Sequence, residues 1–148
     1  MHSLRYVAIA GSLFFSVNLL AENDTQALIQ QGYAQTQAGQ LDAALQTLQE
    51  ALSRDPDSSL VHTRLGGVRL LRQEYRTGIE DFQRAIMLDQ NNAAAFIGMA
   101  VAYLHMGQHS LAQAALNEAA KLDPSKQAEI DKVMAWIEQR SKGAATAH

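Results

Sequence analysis

His105 and His109 stand four residues apart, the spacing at which two imidazoles on one helix face can share a metal ion. Gly107 lies between them where the chain reads as a turn, so the two rings need not face together. No carboxylate lies nearby in sequence to complete the three or four ligands that a metal site needs. Asp55-Pro56-Asp57 resembles the opening of a calcium loop but lacks the glycine and the distal glutamate, and reads more simply as a helix stop followed by a cap. There is no Walker loop, no dinucleotide glycine fingerprint, no H-E-x-x-H and no G-x-S-x-G. The absence of cysteine removes disulfides, thiolate metal sites, cysteine nucleophiles and a lipid-modified N-terminal cysteine together. The expectation is a non-enzyme with no catalytic residues, no metal and no cofactor.

The remaining chemistry-bearing group is cationic. Arg64, Arg69, Arg72, Arg76 and Arg84 are five of the twelve Lys and Arg residues. Arg69 and Arg72 are one helical turn apart and Arg76 lies just past the next turn, which makes Arg69, Arg72 and Arg76 a candidate patch for an acidic partner. Glu74, Glu80 and Asp81 are interspersed, so the alternative is a solvated surface whose charges neutralise one another. The chain as a whole has a net charge of -3, and no basic run is dense enough to neutralise a row of phosphates, which argues against nucleic acid.

These side chains must be carried by helices, after a leader. Arg5 precedes Val7 to Leu20, a stretch without charge, and Ala21 precedes Glu22 and Asp24. A basic start, a short apolar run and a small residue before a polar switch describe a secretory signal peptide over residues 1–21, cleaved after Ala21. The competing reading is a retained anchor, a membrane-bound scaffold with an uncleaved N-terminal helix. The apolar run would span only ~21 Å as a helix, against a hydrocarbon core of about 30 Å. Cleavage implies a periplasmic or secreted protein that does not bind membranes once processed. Asn23-Asp24-Thr25 also matches a glycosylation sequon.

From residue 25 onward the chain repeats every 34 residues. Small residues recur at Gly32, Gly66 and Ala100, at Ala44, Gly78 and Ala112, and at Ala51, Ala85 and Ala119. Leu48, Phe82 and Leu116 keep the same step, as do Asp55, Asp89 and Asp123. Leu41, Ala44, Leu45, Leu48, Ala51 and Leu52 fall at helical spacing, so each unit is helical. Gly39, Gln73-Glu74 and Gly107 cut each unit in two, and Asp-Pro or Asn91-Asn92 ends it. The expected helices run near 25–38, 41–54, 58–73, 75–88, 92–106, 108–121 and 125–141. Small residues let helix axes approach closely, and about three stacked pairs bury what one pair cannot. The seventh helix, with Ile130, Val133, Met134, Trp136 and Ile137 among charged residues, is expected to cap the stack over 125–141.

On these columns the chain resembles the tetratricopeptide repeat family, with repeats at about 25–58, 59–92 and 93–126 inside a domain of 22–141, followed by a flexible tail at 142–148. The fold class implied is all-α, an α-solenoid of three 34-residue helix-turn-helix repeats plus a C-terminal capping helix. It departs from the family pattern where tryptophan is favoured, at Leu28, His62 and Phe96. It departs again where an aromatic is favoured, with Gln35 and Arg69 beside Tyr103. His62 then reads as a half-buried structural histidine or as a pH sensor.

The resemblance implies a protein-protein interaction module or scaffold, its partner held in a concave groove lined by the first helix of each repeat, and the leader places that module in the cell envelope. The matching positions are Ile29, Tyr33 and Thr36, then Thr63, Gly67 and Leu70, then Ile97, Val101 and Leu104. None is charged, so the Lys, Arg and Asn with which one subclass grips C-terminal carboxylates are missing. An apolar partner segment, helical or extended, is expected; the competing reading is that part of this stripe is core or lies under the chain's own cap. A homo-oligomeric structural protein assembling through the same face is the alternative function. Gly67 follows Gly66 without a packing role in the repeat pattern, and would leave a dent in the groove floor or bend its helix.

Overall fold

The computed structural model describes residues 7–145, and among them every element is helical. The order is α1 (Val7–Gln37), α2 (Leu41–Arg54), α3 (Ser59–Leu71), α4 (Tyr75–Leu88), α5 (Ala93–His105), α6 (His109–Leu122), a single 3₁₀ turn (Pro124–Lys126) and α7 (Gln127–Ala145). The chain divides into two compact units at Pro56 and Asp57, the first holding α1 and α2 and the second α3 to α7. No helix among the described residues is long and apolar enough to cross a membrane.

In the first unit α1 does not begin near residue 25 as expected but runs unbroken from Val7. The reason is local. The Thr25 hydroxyl donates to the Ala21 carbonyl, 3.1 Å away, a bond within a continuing helix rather than a cap that would start one. The leader expected at 1–21 is helical in its backbone from Val7 onward, and its residues 1–6 lie outside the described residues. α1 ends at Gly39, whose φ of 73° places it in the left-handed region. There the Gly39 amide donates to the Thr36 carbonyl at 3.1 Å and the Gln40 amide to the Gln35 carbonyl at 2.9 Å, which satisfies the carbonyls of the last turn. α2 returns with Ala44, Thr47, Leu48 and Ala51 buried. A Cβ at Gly32 would lie 2.6 Å from Leu48 Cγ, so only glycine permits this approach.

In the second unit α3 and α4 form one hairpin and α5 and α6 the next. Ser58 caps α3, its side chain accepting from the Val61 amide, and Asn92 caps α5, accepting from the Ala95 amide. Phe82 is 2 % exposed and is slotted between two glycines: a Cβ would lie 2.7 Å from its ring at Gly66 and 2.4 Å at Gly98. A Cβ at Gly78 would meet backbone, 3.2 Å from the Gly66 carbonyl oxygen. Ala85, Ala100, Ala112 and Ala119 have no exposed surface. The step of 34 therefore marks real close approaches. At the hairpin turn, Gly39 and Gly107 have φ of 73° and 72°, and Gln73, their counterpart, is forced to 64°.

α7 packs Ile130 and Ile137 into a cluster with Ala112, Ala115, Leu116 and Ala119. It extends to Ala145 rather than stopping at 141, because Lys142 to Ala145 contains no proline and is mostly good helix former. Of the tail expected at 142–148, residues 146–148 lie outside the described residues.

Candidate functional site

A cavity of about 420 Å³ opens in the second unit between α5, α6 and α7. α5 lines it with Ala94, Ile97, Val101 and Leu104, and α7 with Ile130 and Val133. Leu116 of α6 closes the floor and is 3 % exposed. Two charges stand at the rim, Lys126 and Glu129, and they pair with each other at 3.7 Å. The lining thus offers apolar surface and no unbalanced charge. That suits burial of aliphatic or aromatic groups, and its volume falls within the roughly 300–1,000 Å³ of pockets that take whole ligands.

The structure brings three of the groove residues read from sequence, Ile97, Val101 and Leu104, to this one cavity. The others lie elsewhere. Ile29 is buried at 2 % exposure and Tyr33 is 40 % exposed, both in the first unit. The Thr36 hydroxyl donates to the Gly32 carbonyl at 2.7 Å. Leu70 is half-buried on α3. Gly67 has nothing within 4 Å of where a Cβ would be, so its face of α3 is open.

Thr63 has a different task. Its hydroxyl donates to the Ser59 carbonyl at 2.9 Å and accepts from Asn92 Nδ2 at 2.8 Å. Asn92 Nδ2 also donates to Ser59 Oγ at 2.8 Å, and that hydroxyl donates to the Ala85 carbonyl at 2.9 Å. This polar clasp ties the start of α5 to α3 and to the end of α4. Sequence reading missed Ser59 and Asn92 as partners, and missed Ile130 and Val133 as a wall of the site. For the latter the signal was present in the amphipathic pattern of α7, which specifies an apolar face but not what that face meets.

The arginine patch is tied internally. Arg69 Nη1 donates to Asp81 Oδ2, and Asp81 Oδ1 lies 3.9 Å from His62 Nδ1. Arg72 Nε donates to Glu74 Oε1 at 2.7 Å. Arg76 is exposed. Burial raises the Asp81 carboxyl above its ordinary value, with the Arg69 charge acting against the shift. At the 34-residue step His62, Arg69 and Asp81 correspond to Phe96, Tyr103 and Ala115. The second repeat therefore replaces two aromatics and an alanine by three polar groups, Arg69 bonded to Asp81 and His62 beside it, and His62 is 9 % exposed.

His105 ends α5 and His109 begins α6, across the turn at Gly107. The His105 ring stacks on Tyr75, with centroids 5.0 Å apart and planes 5° apart. Among the described residues no group of three or more potential ligands could hold a metal ion. Asp55 is the C-cap of α2, and Asp57 lies 3.6 Å from Arg84.

Tetratricopeptide repeat profiles match residues 26–58 and 69–137. Among solved structures, the first such domain of human RPAP3 superposes with a TM-score of 0.77 at 15% identity, covering 84% of this chain and 98% of that one. The Yersinia enterocolitica type III secretion chaperone SycD, in complex with a peptide of the translocator YopD, gives 0.72 at 19% identity, covering 78% and 93%. The TPR2B domain of yeast Sti1, in a complex with pHsp70, gives 0.75 at 20% identity, covering 79% and 98%. At these identities the likeness is one of fold, an all-α repeat of the solenoid class. Profiles, small-residue columns and helix pairs agree, and the chain is a tetratricopeptide-repeat protein.

Proposed function

We propose that this protein is a non-catalytic interaction module of the cell envelope, exported with cleavage after Ala21, and that it holds an apolar segment of a protein partner at the α5–α7 cavity. The observation that carries this reading is the lining of that cavity: Ile97, Val101, Leu104, Ile130 and Val133 with a single, mutually paired Lys126–Glu129 at the rim. Related folds take protein segments. One binds the HSP90 peptide SRMEEVD, three of whose seven residues are acidic. The positions facing the cavity here supply no unpaired cation for such a tail, and burying its carboxylates among these side chains would be costly. A segment rich in Leu, Ile or Phe meets no such penalty.

A photo-crosslinking residue placed at Val101 should capture the partner in extracts of the source cell envelope, and one placed at Glu118, exposed on α6, should not. Leu104→Glu should abolish the Val101 crosslink, since it sets a charge in a desolvated contact. Crosslinks at Glu118 alone would defeat the reading, as would crosslinks only to a second copy of the chain, which would make the protein a homo-oligomer.

A further inference from the structure

The cavity has a structural origin that identifies what fills it. α5 comes within 8 Å of α3, Cα to Cα, whereas among the described residues no Cα of α7 comes that near to α5. α7 follows α5 in the stack as α5 follows α3, so the two junctions can be compared residue by residue. At the first junction Ser59, Thr63 and Asn92 form the clasp. Stepping by 34, the second junction has Ala93, Ile97 and Lys126. None of the clasp's bonds can form there. Alanine and isoleucine carry no hydroxyl, and the Lys126 ammonium turns to Glu129 at the rim. The wedge left between the two helices is the apolar cavity.

Resting on the reading above, we infer that the wedge between α5 and α7, left open by the missing clasp, receives one amphipathic helix of the partner, which fills the space that a closer α5–α7 approach, like that of α3 and α5, would have closed. Charge complementarity selects the inserted face. Eight lining residues are uncharged and the two rim charges cancel, so the inserted residues are apolar and uncharged. Backbone chemistry selects the helix. The walls are helices whose backbone groups are already bonded, and no apolar side chain here can accept from or donate to an incoming peptide group. An extended segment pressed into the wedge leaves its inward N–H and C=O groups unsatisfied, whereas a helix brings its own bonds. Apolar residues one helical turn apart then fill the volume between Ile97 and Val101 on one side and Ile130 and Val133 on the other.

The probe is a terminally blocked peptide of about 18 residues with Leu at helical i, i+3, i+4, i+7 spacing and Gln or Ser elsewhere. It is titrated calorimetrically against the full chain beside a version with proline at its centre and beside a long-chain fatty acid. The helical peptide should bind, and the proline version should bind at least about tenfold more weakly. The combined variant Ala93→Ser, Ile97→Thr and Lys126→Asn grafts the clasp onto the second junction. It should keep or raise the melting temperature and weaken the helical peptide at least about tenfold. Val133→Glu, on the other wall, should do the same to binding if the graft fails to fold. Absence of binding by the helical peptide, equal binding of the proline version, binding of the fatty acid alone, or full binding by the folded variants would each overturn the inference. A crosslink at Val101 to a natural partner that coincides with any of these would leave the interaction reading standing and remove only the helix in the wedge.

Discussion

Gly67 and Gly98 are both interior helix glycines, and alanine at the two sites should act in opposite directions. A Cβ at Gly67 meets nothing within 4 Å, so Gly67→Ala should stabilise the protein by up to about 1 kcal/mol through helix propensity alone. A Cβ at Gly98 lies 2.4 Å from a Phe82 ring that is 2 % exposed and already pressed by Gly66. With no room for the ring to retreat, Gly98→Ala should cost about 1–3 kcal/mol. Thermal melts that move both variants the same way would contradict this packing. Asp81 makes a prediction about pH. Its folded carboxyl is raised by burial above the ordinary carboxylate value, so the folded chain holds that proton more tightly than the unfolded chain does. The contribution to stability is complete below the ordinary carboxylate value and is lost as pH rises through the folded one. Asp81→Asn cannot titrate and keeps an acceptor for Arg69. Its melting temperature relative to the unsubstituted protein should therefore climb from acid to neutral pH. A gap that narrows instead would show that the Arg69 attraction outweighs the cost of burial.

At the scale of the helix pair, the turns and the small columns carry the argument. Gln73 holds φ at 64° where the matching residues Gly39 and Gly107 are glycine. A side chain in the left-handed region is strained, so Gln73→Gly should raise stability by about 1 kcal/mol, less whatever glycine adds to the freedom of the unfolded chain. Denaturant midpoints read this directly, and a lower midpoint would mean that the Gln73 side chain contributes more than its backbone costs. Ala85→Leu and Ala93→Leu add the same atoms. Ala85 has no exposed surface, while Ala93 is half-buried at the start of α5. The first should lower the melting temperature well below the second, because overpacking a close approach costs about 1–3 kcal/mol. Equal melts would contradict the 34-residue register.

For the whole molecule, the prediction concerns the leader. α1 carries the uncharged Val7 to Leu20 stretch as a helix continuous with the first repeat, and a signal peptidase would cut that helix after Ala21. N-terminal sequencing of the protein from its source is expected to begin at Glu22, in a soluble envelope fraction. Met1 on membrane-bound protein would turn the reading into an anchored scaffold. Removing residues 1–21 should leave the melting behaviour of α3 to α7 unchanged, since that unit has its own core in Phe82, Leu116, Ile130 and Ile137. Hydrogen exchange resolved by segment checks this.

The amino-acid sequence by itself determined the helix pairs and their register, because both are set by side-chain size at fixed offsets. Gly32 against Leu48 and Gly66 against Phe82 are short-range requirements, and each leaves its mark in the residues that make the contact. Apolar character at Ile97, Val101 and Leu104 was legible for the same reason. What surrounds those residues was not. Arg69 reads as a surface cation until Asp81, twelve residues on, is folded beneath it. Thr63 reads as groove until Asn92 reaches back from the next helix to bond it. Ile130 and Val133 read as the core face of a cap until α7 settles on α6 and leaves α5 apart. Each outcome depends on which partner a side chain meets across a helix interface, and on bonds that fail to form at Ala93, Ile97 and Lys126. The cavity is the space such a missing contact leaves, and only the packed helices define it.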